Sequence, residues 1–188
     1  MSADEQPTTP PLSPRLGPPP RKPDWRFMLK HPAHAIALGF GSGLSPVAPG
    51  TAGTLWAWLA YVVLRPHLDA AGWAWLIGAS LVVGIWACTV TARNLGVGDP
   101  GAIVWDEIVA FWIVLWLVMP VGFWGQFAAF VLFRAFDAAK PGPVAWADAL
   151  FKPRRGQPIG WAQGFGIIFD DLVAALCTLL VMAIWRFM

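Results

Sequence analysis

The chain has 188 residues, 57% of them hydrophobic and 13% charged, with a formal net charge of +2 and a mean hydropathy of +0.57. A soluble domain carries about 25% charged residues, and the thirteen tryptophans are of the kind that gather where lipid meets water. A soluble globular protein is therefore excluded, as is nucleic-acid binding, because the basic residues form no long patch interleaved with exposed aromatics; what remains is a small polytopic membrane protein, all-α, with one membrane domain.

Residues 1–23 contain eight prolines and no apolar core segment. Such a composition cannot bury enough surface to order itself, so a disordered, Pro-rich and basic cytoplasmic tail is expected over residues 1–30. Its last part, Arg21 to Lys30, suits a membrane interface. The membrane-embedded domain is expected over 31–188. It begins with a short apolar stretch, HPAHAIALGF, then a loop rich in Gly, Ser, Pro and Thr, GSGLSPVAPGTAGT, then TLWAWLAYVVL up to Arg65. That last run is short, since a span needs about 20 residues. Either the first helix begins inside the loop, or residues 33–64 form a broken or re-entrant unit. Irregular backbone at membrane depth persists only where protein or water covers it, so the interruption points to a site. Further spans are expected at about 71–92, 102–119 (closed by Pro120 and Gly122), 123–139 (ending at Pro141) and 166 to the C-terminus. The expected architecture is thus a helix bundle of about five spans, the first short or broken.

With the N-terminus in the cytoplasm, five spans put Arg15, Arg21, Lys22, Arg26, Lys30, Arg93, Arg134, Lys140, Lys152, Arg154 and Arg155 on the cytoplasmic side, and only Arg65 and Arg186 outside. This positive-inside bias supports the topology. On it, every acid of interest falls at a cytoplasmic helix end. Asp106 and Glu107 lie in GAIVWDEIVAFW, Asp137 in FRAFDAAKPGP, Asp170 and Asp171 in GFGIIFDDLVAA, and Asp99 in a connecting loop. A charge at the bilayer centre costs about 2.5–3.5 kcal/mol on insertion scales, so five such carboxylates are tolerable only at headgroup depth. A single acid there is commonly a solvated anchor or a partner for the helix dipole. Three helices doing the same thing are better explained by a shared divalent cation, and oxygen-only ligands select a hard ion such as Mg²⁺.

Arg134, Asp137 and Lys140 are spaced i, i+3, i+6, which puts Arg134 and Asp137 on one helix face. A guanidinium can hold a phosphate bidentately. The Gly39–Thr54 loop offers amides freed by glycine near a helix start, a recognised anion cradle, with Ser42, Thr51 and Thr54 as substrate-binding candidates. His34 is either a ligand, a base or an interfacial residue. Cys88 and Cys177 sit in apolar runs and read as small apolar residues. There is no Cys-x5-Arg loop, no Gly-x-Ser-x-Gly elbow and no Asp-x-Asp nucleophile motif. The central third of each expected span is essentially uncharged, which disfavours a transporter; a membrane scaffold without hydrolytic activity is the other alternative.

Four stretches in order, GFGSGLSPVAPGTAGT, IVWDEIVAFW, FRAFDAAKPGPV and GFGIIFDDLVAA, resemble the phosphatidylglycerophosphatase A family of bacterial membrane enzymes over about residues 32–187. The resemblance implies an inner-membrane, Mg²⁺-dependent phosphomonoesterase of phospholipid synthesis, acting at the cytoplasmic leaflet on phosphatidylglycerol phosphate. On that expectation Asp106, Glu107, Asp137, Asp170 and Asp171 hold the metal, with Asp106, Glu107, Asp137 and Asp171 also candidates for base or nucleophile. Arg134 and Lys140 bind substrate together with the loop residues and His34.

Overall fold

The computed structural model describes residues 22–119, 121–152 and 158–187. Among these, all regular structure is helical: α1 (Trp25–Leu29), α2 (Pro32–Ala37), α3 (Pro49–Leu64), α4 (Ala70–Leu95), α5 (Trp105–Val118), α6 (Phe123–Ala139), α7 (Pro143–Leu150) and α8 (Trp161–Phe187), with 3-10 turns at Gly39–Leu44 and Arg65–His67. The proline-rich part of the expected tail, up to residue 21, lies outside the described residues, as do Arg154 and Arg155. The end of that tail is not irregular: α1 forms behind Asp24, whose carboxylate accepts the Phe27 N–H at 2.8 Å.

α5 is the central helix. Beyond its first turn it is apolar on every side, as a largely enclosed helix is, and it packs against α3, α4, α6 and α8. Its position is set by the few polar atoms it carries. Trp105 Nε1–H donates to the Ser80 carbonyl of α4 at 3.0 Å, and Trp112 Nε1–H donates to the Ala57 carbonyl of α3 at 2.9 Å. Gly84 makes the space for Trp105: a methyl group there would lie 2.6 Å from the indole Cδ1. At its entry, Val104 N–H donates to Ala37 O at 2.9 Å and ties α5 to the end of α2. These contacts fix the height and rotation of the first turn of α5, which carries Asp106 and Glu107.

The first apolar unit is broken, as its composition suggested. After α2 the chain turns through Gly39, Phe40 and Gly41, all at positive φ, and α3 starts only at Pro49, behind Ala48 at φ +48°. Two boundaries differ from expectation. The connection between the expected spans 123–139 and 166 onward contains α7, and α8 starts at Trp161 rather than near Gly166. Gln and two Gly in WAQGFG lower the local hydropathy, so the helix runs ahead of the apolar run.

Two helices, α4 and α8, are long and apolar enough to cross a membrane. α3, α5 and α6 have 16, 14 and 17 residues, or about 21–26 Å at 1.5 Å per residue, against a hydrocarbon layer of about 30 Å. Two helices thus have the length for a full crossing, and the other expected spans are shorter because glycine and proline cut their apolar runs. Leu59, Trp75, Val82, Trp124, Leu180 and Ile184 are among the large apolar side chains left exposed on α3, α4, α6 and α8. A monomer in water rarely shows so much; the surface suits lipid.

Candidate active site

Asp106 and Glu107 stand in the first turn of α5, where the helix dipole favours negative charge. Asp171 reaches them from α8. It lies ten residues past Trp161, roughly 15 Å along the helix, so it is not at a helix end and no dipole compensates it. Asp106, Glu107 and Asp171 are 8%, 9% and 3% exposed. One carboxylate oxygen from each comes within 4.8 Å of the others. Asp106 Oδ1, Glu107 Oε2 and Asp171 Oδ2 have no hydrogen-bond partner. Buried polar atoms are nearly always satisfied, so three clustered carboxylates, each with an unpartnered buried oxygen, have the chemistry of a group that could hold a cation. The donor set is all oxygen, as a hard divalent ion requires.

α6 closes the site from the other side. Arg134 pairs with Asp137 one turn on, and its Nη1 lies 3.7 Å from Glu107 Oε1. The Arg134 Nε is buried without a partner. Asp137 bears electrostatically on both Glu107 and Asp171, so it borders the cluster while its carboxylate orients the guanidinium. One cationic fork thus stands beside three inward-facing acids, a geometry able to hold a metal and an anionic phosphoryl group together.

Asp170 and Lys140 are not part of this centre. Lys140, at the αL C-cap of α6, donates to Asp148 Oδ1 of α7 and Asp170 Oδ2 of α8, each at 2.6 Å. Burial works against its charge, but these two bonds outweigh it and hold its pKa above the ordinary lysine range. Asp148 also pairs with Lys152. The expected metal ligand and the expected substrate lysine instead form a clasp joining α6, α7 and α8.

His34 and the loop hydroxyls are also elsewhere. His34 is buried between α2 and α4; its ring nitrogens meet Thr91 Oγ1 at 3.0 Å and Asn94 Nδ2 at 3.1 Å, and Phe27 stacks on it at 4.2 Å. If the Asn94 amide donates to Nε2, Nδ1 carries the proton, and Thr91, which in turn donates to Ala33 O at 3.3 Å, accepts it. Thr54 is fully buried and donates back to Gly50 O at 2.9 Å, and Ser42 donates to Gly39 O at 2.9 Å. These groups satisfy the local backbone, so the substrate roles expected for His34, Ser42 and Thr54 do not fit their surroundings. Thr51 stays in the first turn of α3, half-buried. What does touch the centre from this loop is the backbone: a methyl group on Gly50 would overlap Glu107 Oε1. Sequence reasoning missed Gly50 and Asp148; only the spacing of Asp148 and Lys152, i and i+4, signalled the clasp.

Fold and site together define an α-helical protein with a lipid-suited surface and a buried cluster of three carboxylates that could hold a metal, set beside an arginine. Residues 35–186 match the sequence profile of the family described as Phosphatidylglycerophosphatase A. The chain is 38% identical over 152 residues to phosphatidylglycerophosphatase A of Escherichia coli (strain K12), covering 80% of this chain and 81% of that protein. It is 36% identical over 156 residues to phosphatidylglycerophosphatase A of Haemophilus influenzae, covering 83% and 90%. A Bacteroides thetaiotaomicron protein with the provisional name phosphatidylinositol-3-phosphatase is 35% identical over 158 residues, covering 80% and 91%. No solved structure matches the chain. The chain belongs to the phosphatidylglycerophosphatase A family, a family of phosphatases.

Proposed function

We propose that this protein is a Mg²⁺-dependent lipid phosphatase that hydrolyses phosphatidylglycerol phosphate to phosphatidylglycerol and inorganic phosphate in phospholipid biosynthesis. The observation that carries the reading is the clustering of three buried carboxylates from α5 and α8, each with an unpartnered oxygen, with Arg134 beside Glu107. Asp106, Glu107 and Asp171 would hold Mg²⁺, with Asp137 at the border. When bound, such an ion polarises phosphoryl oxygens and lowers the pKa of a water.

The protein's own groups supply the rest. Arg134 holds the phosphoryl oxygens and stabilises charge that develops on them. Asp137 keeps the guanidinium fork turned toward Glu107. The first turn of α3 lies against both. Hydrolysis consumes one water and breaks the bond between phosphorus and the glycerol oxygen, which leaves with a proton. A carboxylate of the cluster either takes the proton from the water or attacks phosphorus itself. The substrate's phosphate sits at headgroup level, which matches acids grouped near the ends of α5 and α6 rather than along a path through the midplane. The positive-inside distribution supports a five-span, multi-pass arrangement in a bacterial inner membrane, with N-terminus and site cytoplasmic.

The test is phosphate release by detergent-purified protein, with Mg²⁺ or with EDTA, on phosphatidylglycerol phosphate and on phosphatidylinositol 3-phosphate in parallel. Metal-dependent release from the glycerol lipid is expected. Activity on the inositol lipid alone would reassign the substrate, and release undiminished by EDTA would remove the metal from the mechanism.

A further inference from the structure

We propose that Gly50 is the positioning residue of this site: by having no side chain it lets the first turn of α3 lie directly on Glu107 and Arg134, and so fixes where the carboxylate and the guanidinium stand. The inference rests on the hydrolase reading above and deepens it. A methyl group at Gly50 would overlap Glu107 Oε1 and come within 3.1 Å of both terminal nitrogens of Arg134. Such contacts are tighter than packed interiors tolerate, so one partner must move. Glu107 is enclosed in the central helix, and Arg134 is held by Asp137. Nor can α3 simply retreat. Three residues on, Gly53 also lies against the entry of α5, where a methyl group would lie 2.7 Å from Cβ of Val104, the residue before the helix. The two glycines flatten one face of α3 against α5.

Backbone freedom does not explain the glycine. Gly50 stands in the first turn of α3 and is not among the residues at positive φ, so its backbone conformation does not call for glycine. The left-handed position of this loop is two residues earlier and is occupied by an alanine, Ala48 at φ +48°. Space is therefore the reason for glycine at 50, and the space is filled by one of the three cluster acids and by the arginine that pairs with it. Groups that orient metal ligands from behind change metal affinity by about 10–100-fold when altered.

A double-mutant cycle tests this on detergent-purified protein, read by Mn²⁺ binding in electron paramagnetic resonance, by melting temperature and by phosphate release. G50A is expected to weaken Mn²⁺ binding by about tenfold or more. Glu107→Asp shortens the carboxylate by one methylene and relieves the one overlapping contact, leaving the Arg134 nitrogens at 3.1 Å to give by a few tenths of an ångström. In that background G50A should change Mn²⁺ affinity and melting temperature by little, less than about twofold in Kd, a strongly non-additive result for two residues in contact. G53A meets Val104 instead of the acids; it should lower the melting temperature and leave Mn²⁺ affinity alone. Unchanged Mn²⁺ affinity in G50A, or equal losses in both backgrounds, would overturn the proposal. Should G50A fail to fold, G50A/E107D must fold and bind Mn²⁺ as E107D does, and its failure overturns the proposal equally. A wild-type protein that binds Mn²⁺ but releases no phosphate would sink the hydrolase reading instead, while the binding cycle still decides the role of Gly50.

Discussion

Replacing Asp171 with Asn keeps the shape of the side chain and removes one charge from the cluster. The three carboxylate oxygens lie within 4.8 Å of one another. At an effective dielectric of about 20, each pair of full charges at that distance repels by about 3.5 kcal/mol. Without a cation, the protein must carry that repulsion or take up protons to relieve it. Asp171→Asn removes two of the three pairs, so the metal-free variant should melt higher than the metal-free wild type. Each kcal/mol retained is worth about 2–4 °C for a chain of this size. The metal response should move the opposite way. At a Mg²⁺ concentration of about 100 times Kd the wild type gains about 2.7 kcal/mol, and a tenfold loss of affinity cuts this to about 1.4. Phosphate release should fall at least about a hundredfold. Thermal melts with and without Mg²⁺, beside a phosphate assay, read all three effects. If D171N keeps the wild-type rise in melting temperature with Mg²⁺ and its turnover within about twofold, the carboxylates hold no catalytic cation.

Arg134→Lys retains the charge and loses the fork between Asp137 and Glu107; kcat should drop by about tenfold or more while Mg²⁺ still raises the melting temperature. His34→Ala removes a stacked, doubly bonded buried ring. It should cost on the order of 2–3 kcal/mol of stability yet leave kcat of the folded fraction near normal, and a hundredfold loss of kcat at full stability would restore His34 to the chemistry. Lys140→Met removes the cation that joins Asp148 to Asp170 and leaves Asp148 only its pair with Lys152, so the melting temperature should fall, with activity recovered on cooling. Burial raises the pKa of Asp148, but the hydrogen bonds from Lys140 and Lys152 outweigh it and hold it below the ordinary carboxylate value. Its contribution is therefore present above about pH 3.9 and lost as pH falls through the lowered folded value. Melts between pH 7 and 3 should show this loss in the wild type and not in Asp148→Asn.

Much of the site could be read in the sequence, because acids inside apolar runs are costly enough to need a reason. That argument singled out Asp106, Glu107, Asp137, Asp171 and Arg134, and they are the residues the fold gathers. The fold pairs Asp170 and Lys140 with each other, apart from that group. Adjacent acids on a helix can share one centre, as Asp106 and Glu107 do; whether Asp170 joins Asp171 depends on how α8 is rotated against α5 and α6, and here Lys140 of α6 takes Asp170 Oδ2 instead. His34, Ser42 and Thr54 misled because a polar side chain near a loop reads as available until its partners are known, and here those partners are local backbone atoms or residues on α4.

Composition and the order of apolar and polar runs determined the all-helical, lipid-facing class and the acids that matter, since hydropathy and the cost of buried charge act residue by residue. Tertiary structure decided helix rotation, the clasp through Lys140 and the close approach at Gly50. Those depend on which faces meet across helices distant in the chain, and no local property of the sequence encodes that.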